Sequence, residues 1–542
     1  MSQGFSFAVQ QLSPAPDSDR YYINPFLREE KTAKFAKQSL ENRAVIDPQS
    51  EQKLRQRFAE VFERLLCGTD LLPTRRFVLH NLSTVSPEAR KTSDFNQVLK
   101  GWPVYNGAAG VALALAQVCE SNETWVHNVL IEKTRKPDIR RAKQEVLRLS
   151  SAVIKAAIHR SRKSRHDISL LCGHVGVWAV AAYIANRRVQ FEDDVEKYTT
   201  RKDMCVTHVL SVGSDTESAA YLSQEFELLY GRSGYLSALL FLKRRGLLQK
   251  LPRCVHTITE RIVRAGKRTA AHWQRHWVGD ARDSLLPLFP IMYEWHDRLY
   301  LGAAHGVVGI AAMVAATATS EVDDSTSVDS GTKKILSVCA RTLIATKTVT
   351  ERSSKNPNVP SSLNAIAHHG HPHAFPLVQF CHGAPGTSVA AAIISQAIRD
   401  AGGVMGSTTD EMSRHLRQLS QWQRALCDVV WKRGVLRKGV SLCHGTSGNA
   451  LAMLIGAREA DDVPRGVWRA VHFALLAPSF EIEDDLQSES SVVGSGGDVG
   501  EHRTTSTKDD FSLFEGFAGE LEMLRQLLTL PLREVHFPLF PS

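Results

Sequence analysis

The 542-residue chain has no Cys-x-x-Cys pair, and its nine cysteines show no paired spacing. That excludes a disulfide framework. No stretch reaches the ~20 apolar residues a membrane span requires. The start, Met1-Ser2-Gln3-Gly4, has no apolar leader core and carries Ser2 where myristoylation needs glycine. The expectation is a cytoplasmic, reducing setting in which free thiols are available to a metal. Apolar content of 43% and charged content of 23% exclude disordered and fibrous classes. The net charge of +9 is modest, and no nucleic-acid partner is expected. Much of it lies in residues 133–166, where basic residues interleave with an apolar helical stripe. This reads as an outer helix with a solvated basic face, the alternative being peripheral contact with acidic lipid headgroups at the plasma membrane.

What the chain does have is a repeat. A Gly-x-x-Gly quartet recurs seven times, at Gly107–Gly110, Gly173–Gly176, Gly231–Gly234, Gly306–Gly309, Gly383–Gly386, Gly445–Gly448 and Gly516–Gly519. The spacing, roughly 58 to 77 residues, is enough for two helices and two connections. Each quartet opens a run that is apolar around most of a helix and so must be buried, whereas the segment before it is charged and amphipathic. Paired helices of these two kinds predict an all-α fold, a double-ring α/α toroid of seven helical hairpins with apolar helices inside. Closure removes the exposed ends of an open solenoid. All seven glycine turns should converge on one mouth, the glycines allowing positive φ and close backbone approach. Residues 1–45 read as an extended N-terminal segment and 46–542 as a single barrel domain, with insertions near 319–334, 351–373 and 482–510.

Chemistry gathers at the turns. Cys381-His382-Gly383 and Cys443-His444-Gly445 occupy the same place in two repeats and offer four ligands for a zinc ion, three for an open catalytic site or all four for a structural one. His174, His305 and Glu515 stand at other turns. Six cysteines in or beside apolar helical runs, Cys67, Cys119, Cys205, Cys254, Cys339 and Cys427, read as buried small hydrophobes. The histidines between His368 and His373 suggest a second metal site but fall in a polar loop-like stretch. Glu294 and Glu515 are the one obvious carboxylate pair for glycoside hydrolysis, a chemistry in which cysteine ligands have no part.

The stretches Leu228-Leu229-Tyr230-Gly231-Arg232-Ser233-Gly234-Tyr235, Met292-Tyr293-Glu294-Trp295, Gly302-Ala303-Ala304-His305-Gly306, both Cys-His-Gly motifs, Phe511-Ser512-Leu513-Phe514-Glu515-Gly516 and the closing Phe537-Pro538-Leu539-Phe540 resemble the lanthionine synthetase C-like family along most of the chain, its eukaryotic members above all. The resemblance implies one zinc ion on Cys381, Cys443 and His444, with His382 beside the metal. It also implies glutathione as co-substrate, added to dehydroalanine or dehydrobutyrine in peptides or proteins. His305 is the candidate acid for the α-carbon. Lys438 matches a glutathione-contacting lysine of the family, and Arg503 is the weaker counterpart because the alignment there crosses the acidic insertion. Cys172-Gly173-His174 departs from the usual Cys-Gly-Asp, and Phe380 stands where tryptophan is common. The alternative is a non-catalytic zinc-containing glutathione-binding or signalling scaffold. The repeats consume nearly the whole chain, so the electrophile must be made elsewhere.

Overall fold

A computed structural model describes residues 12–15, 18–67, 101–162, 167–214, 225–276, 288–322, 330–353, 358–368, 377–404, 410–480 and 511–541. Among the described residues the chain is all-α apart from a short antiparallel pair, β1 (Pro14–Ala15) and β2 (Ser18–Tyr22). The helices, in order, are α1 (Pro48–Cys67), α2 (Ala108–Val118), α3 (Thr124–Thr134), α4 (Ile139–Ser161), α5 (His174–Val189), α6 (Val195–Ser214), α7 (Arg232–Arg244), α8 (Cys254–His276), α9 (Val307–Ala318), α10 (Ser330–Ser353), α11 (Leu363–His368), α12 (Ala384–Val404), α13 (Asp410–Arg433), α14 (Thr446–Glu459), α15 (Val463–Ala474) and α16 (Phe517–Thr529).

Each glycine quartet opens one inner helix: α2, α5, α7, α9, α12, α14 and α16. Apolar composition buries them; every residue of α2, and Val307 to Ala315 and Thr317 of α9, are shielded from solvent. Neighbouring inner helices pack in sequence and α16 packs back on α2, closing the ring. The amphipathic helices α4, α6, α8, α10 and α13 pack outside. In α8 the buried positions Val255, Ile258, Ile262 and Val263 return at helical spacing on one face. The outer helix α1 packs on the last inner helix, α16, so the two ends of the chain close the toroid together. Arg57 of α1 and Glu520 of α16 are both buried and share two hydrogen bonds, of 2.6 and 2.9 Å.

The seven turns form a belt of backbone hydrogen bonds. The N–H of Tyr105 donates to Leu171 C=O (2.9 Å), Cys172 to Leu229 (3.2 Å), Leu228 to Ala304 (3.1 Å) and Ala304 to Cys381 (3.4 Å). Phe380 donates to Cys443 (2.9 Å), Cys443 to Phe514 (2.8 Å) and Phe514 back to Tyr105 (2.9 Å). Of the two reasons expected for the glycines, close approach holds in every quartet and positive φ at one position. Of the fourteen, only Gly383 has positive φ, +109°. At the last glycine of every quartet an added Cβ would collide with the carbonyl oxygen six residues earlier, as Gly448 would with Leu442. Close approach, not left-handed backbone, excludes side chains there.

Two stretches read as insertions contribute to the fold where they are described. Residues 330–334 begin α10, and residues 358–368 pack against the fourth turn, with Leu301 N–H donating to Ser361 C=O (2.9 Å) and Leu363 N–H to Leu299 C=O (3.0 Å). Residues 482–510 lie outside the described residues. The N-terminal segment is anchored: Asn24 is buried and donates to Trp431 C=O (2.7 Å), and Tyr22 N–H donates to Val435 C=O (2.7 Å). Cys119, Cys205, Cys339 and Cys427 are buried as expected, whereas Cys254 is half-buried at the start of α8. The side chain of Cys67 lies outside the described residues. Among the described residues no helix is long and apolar enough to cross a membrane.

Candidate active site

The fifth and sixth turns lie side by side because Phe380 N–H bonds Cys443 C=O. The Cys443 thiol is within hydrogen-bond reach of the Cys381 thiol, the His444 ring and the Tyr105 hydroxyl. Gln379 Nε2 donates to Cys381 Sγ at 3.0 Å. The hydrogen bond from Cys443 holds the Cys381 thiol below its usual range against burial, with help from Gln379 and the Lys438 charge. The same bond, with burial, pushes Cys443 well up. Of the two sulfurs Cys381 is therefore the one that ionises first, with Cys443 donating to it. Burial pushes the Tyr105 phenol far up, so it stays a donor. Among the described residues no three Cys, His, Asp or Glu side chains already stand at metal-holding spacing. The donor chemistry nevertheless fits a thiophilic ion: two buried sulfurs and an imidazole meet around Cys443.

His305, at the fourth turn, faces this group. Its Nδ1 lies 3.0 Å from Glu227 Oε2, and its ring stacks on Trp295 at 3.8 Å with 5° between planes. A buried carboxylate on Nδ1 fixes the tautomer and leaves Nε2 to the rim. The His382 ring centre is 6.2 Å away. Burial, then the charges of His305 and Lys438, lower His382 to about 4, so it is neutral at physiological pH. Its Nδ1 is buried and, among the described residues, has no hydrogen-bond partner.

Glu227, Trp295 and Tyr105 escaped the sequence reading as site residues, although Glu227 had a signal. In three other turns the residue four before the first glycine is a serine whose hydroxyl caps the turn: Ser169 accepts from Cys172 and Gly173 N–H, Ser441 from His444 N–H, and Ser512 from Glu515 N–H. Glu227 holds that place before Gly231 and accepts from Leu229 N–H (2.7 Å) and Tyr230 N–H (2.6 Å). Its longer side chain caps the turn and still reaches His305.

Lys438 is exposed beside the rim, where its charge acts on both Cys381 and His382. Glu515 is near Tyr105 and Cys172, and burial raises the Cys172 thiol far above its usual value. His174 does not join the group in the way expected of a rim residue. Its Nδ1 lies 2.9 Å from Asp167 C=O and its ring packs edge-on against His208 of α6, because it is the first residue of α5 and turns toward the outer ring. Glu294 accepts from Trp273 Nε1 at 3.0 Å. Arg503 and residues 369–373 lie outside the described residues.

All seven inner helices start at this rim, so their positive dipole ends point the same way and favour anionic sulfur and carboxylate there. A family model described as lanthionine synthetase C-like protein matches residues 99–531. A Danio rerio protein named glutathione S-transferase LANCL1 is 26% identical over 388 residues, 71% of this chain and 76% of its own length. LanC-like protein GCL1 of Arabidopsis thaliana is 26% identical over 387 residues, 70% of this chain and 72% of its own.

Proposed function

Because the chain belongs to the lanthionine synthetase C-like family, we propose that it is a zinc-dependent transferase that adds the thiol of glutathione to dehydroalanine or dehydrobutyrine residues of peptides or proteins. The observation that carries the reading is the meeting of Cys381, Cys443 and His444 from two turns beside a carboxylate-anchored His305. The name of the Danio rerio relative points to the same thiol.

Cys381, Cys443 and His444 would hold the ion. What zinc supplies, when bound, is a lowered pKa for a thiol at an open position while two sulfur ligands keep that thiol nucleophilic. The chain's own residues do the rest. Tyr105 donates to Cys443 and Gln379 to Cys381, damping the charge of the sulfurs. Lys438 takes a carboxylate of glutathione. As the C–S bond forms at the β-carbon, the π pair moves onto the α-carbon. His305, as imidazolium, delivers the Nε2 proton there while Glu227 keeps Nδ1–H. The proton lost from sulfur balances the one gained by carbon.

Purified zinc-loaded protein, glutathione and a dehydroalanine peptide should yield the adduct mass, and Cys443→Ala should lose both the adduct and one equivalent of zinc by metal analysis. A zinc-loaded wild type that forms no adduct while a family relative does so in parallel would reject the enzyme in favour of a binding scaffold.

A further inference from the structure

The inner helices end at the mouth opposite the rim, and there the barrel opens into a cavity of about 760 Å³. Six guanidiniums line it, from Arg244, Arg245, Arg399, Arg458, Arg525 and Arg533, against the carboxylates of Glu120, Asp400, Glu459 and Glu534. Several are accounted for by the fold. Arg399 pairs with Glu459 (2.7 Å), Arg525 with Glu522 (2.6 Å), and Arg533 with Glu41. Arg458 donates to the carbonyls of Arg533 (2.8 Å) and Val535 (3.0 Å), as expected of a cation at helix C-termini.

The inner wall is not balanced. Around Glu120 stand Arg187, Arg245 and Arg525, with Arg244 beside them. Among the described residues Arg244 has no carboxylate partner and donates to Phe540 C=O alone (2.8 Å). It has a large exposed surface although protein encloses it closely, so its free face looks into the cavity. Burial and the neighbouring Arg245 lower it to about 9. Arg245 pairs with Glu120 through Nη1 at 3.0 Å, so Arg244 carries the excess charge of this wall. An anion in the cavity would answer the free face of Arg244.

The geometry points to a second binding site, at this far mouth, for a compact multivalent phosphate: a small polyphosphate or a polyphosphorylated polyol. The volume suits a small ligand, and guanidinium forks match phosphate oxygens. Among the described residues the cavity lining contains no Phe, Tyr or Trp on which a nucleobase could stack, which argues against a nucleotide. The site is separated from the rim by the C-terminal segment. Phe537 stacks on Phe380 at 4.1 Å and Phe540 meets it edge-on at 5.0 Å, filling the lumen between the two mouths.

The test is calorimetric titration of the full chain with inorganic tripolyphosphate and with inositol hexakisphosphate at physiological ionic strength, alongside Arg244→Gln and Arg244→Lys. One saturable site is expected, weakened about tenfold or more in Arg244→Gln and less in Arg244→Lys, with zinc content unchanged in both variants. Sedimentation with vesicles bearing phosphorylated inositol headgroups separates the sources: pelleting that Arg244→Gln loses assigns a membrane-borne phosphate, and absence of pelleting assigns a soluble one. No saturable heat in the wild type, the same heat from sulfate at matched ionic strength, or undiminished binding by a folded Arg244→Gln would each overturn the site. Because these readouts do not involve thiol transfer, failure here leaves the rim reading untouched.

Discussion

Glu227 shows how one side chain turns a structural position into a positioning residue. Serines at the equivalent places cap their turns through a hydroxyl, whereas the carboxylate caps and also bonds His305. Glu227→Gln keeps one of the cap's two acceptor oxygens but no longer stabilises an imidazolium. We expect kcat for thiol addition to fall by about 10²-fold with little change in KM; an unaltered kcat in the folded variant would mean that Glu227 serves the turn alone. His536 supplies a pH test of stability. It is fully buried, and burial together with Arg244 and Arg245 holds its pKa well below 6.5. The unfolded chain takes up this proton near pH 6.5 and the folded one does not. Stability is therefore fully present above that pH and declines as pH falls below it, by up to about 1.4 kcal/mol per pH unit. Denaturant melts between pH 7.5 and 5.5 should show the slope, reduced in His536→Gln.

At the level of elements, the repeat was legible because two periodicities coincide: glycines at fixed places and apolar runs directly after them. Close backbone approach at the glycines was legible in general, but not which atom each one meets. A sequence does not reveal that the carbonyl six residues back is folded against the fourth glycine of each quartet, and only Gly383 uses the left-handed backbone that glycine ordinarily suggests. Gly448→Ala should consequently cost about 3 kcal/mol or more, since the obstacle is backbone and cannot rotate away. Chemical denaturation would read this directly, and a loss under about 1 kcal/mol would show that the turn can yield. Polar segments misled in the other direction. Asn358 lies in a stretch whose composition suggests a loop, yet it is buried and accepts from Ala384 N–H at 2.9 Å, fixing the start of α12.

For the molecule as a whole, closure is the organising event. The first outer helix, α1, seals against the last inner one, α16, through the buried Arg57–Glu520 pair. Arg57→Ala strands a buried carboxylate, and a loss of about 3–5 kcal/mol is expected. The ring makes each hairpin depend on both neighbours, so melting should remain a single transition; a separate early transition confined to the terminal hairpins would show that the ends fold independently. Closure also sorts the chemistry. Helix N-termini gather at the cysteine-bearing rim and C-termini at the arginine-lined mouth, so one covalent repeat produces two mouths of opposite dipole sign. The linear order of residues was enough to establish an all-α ring of seven hairpins and to single out the two Cys-His-Gly turns, because hydrophobic periodicity and motif phase are local properties. Which groups surround those turns, that His174 turns outward while Glu227 and Tyr105 turn in, and that arginines from distant helices share one cavity, depended on packing. Those neighbours are up to several hundred residues apart in the chain, and only closing the ring brings them within a few ångströms.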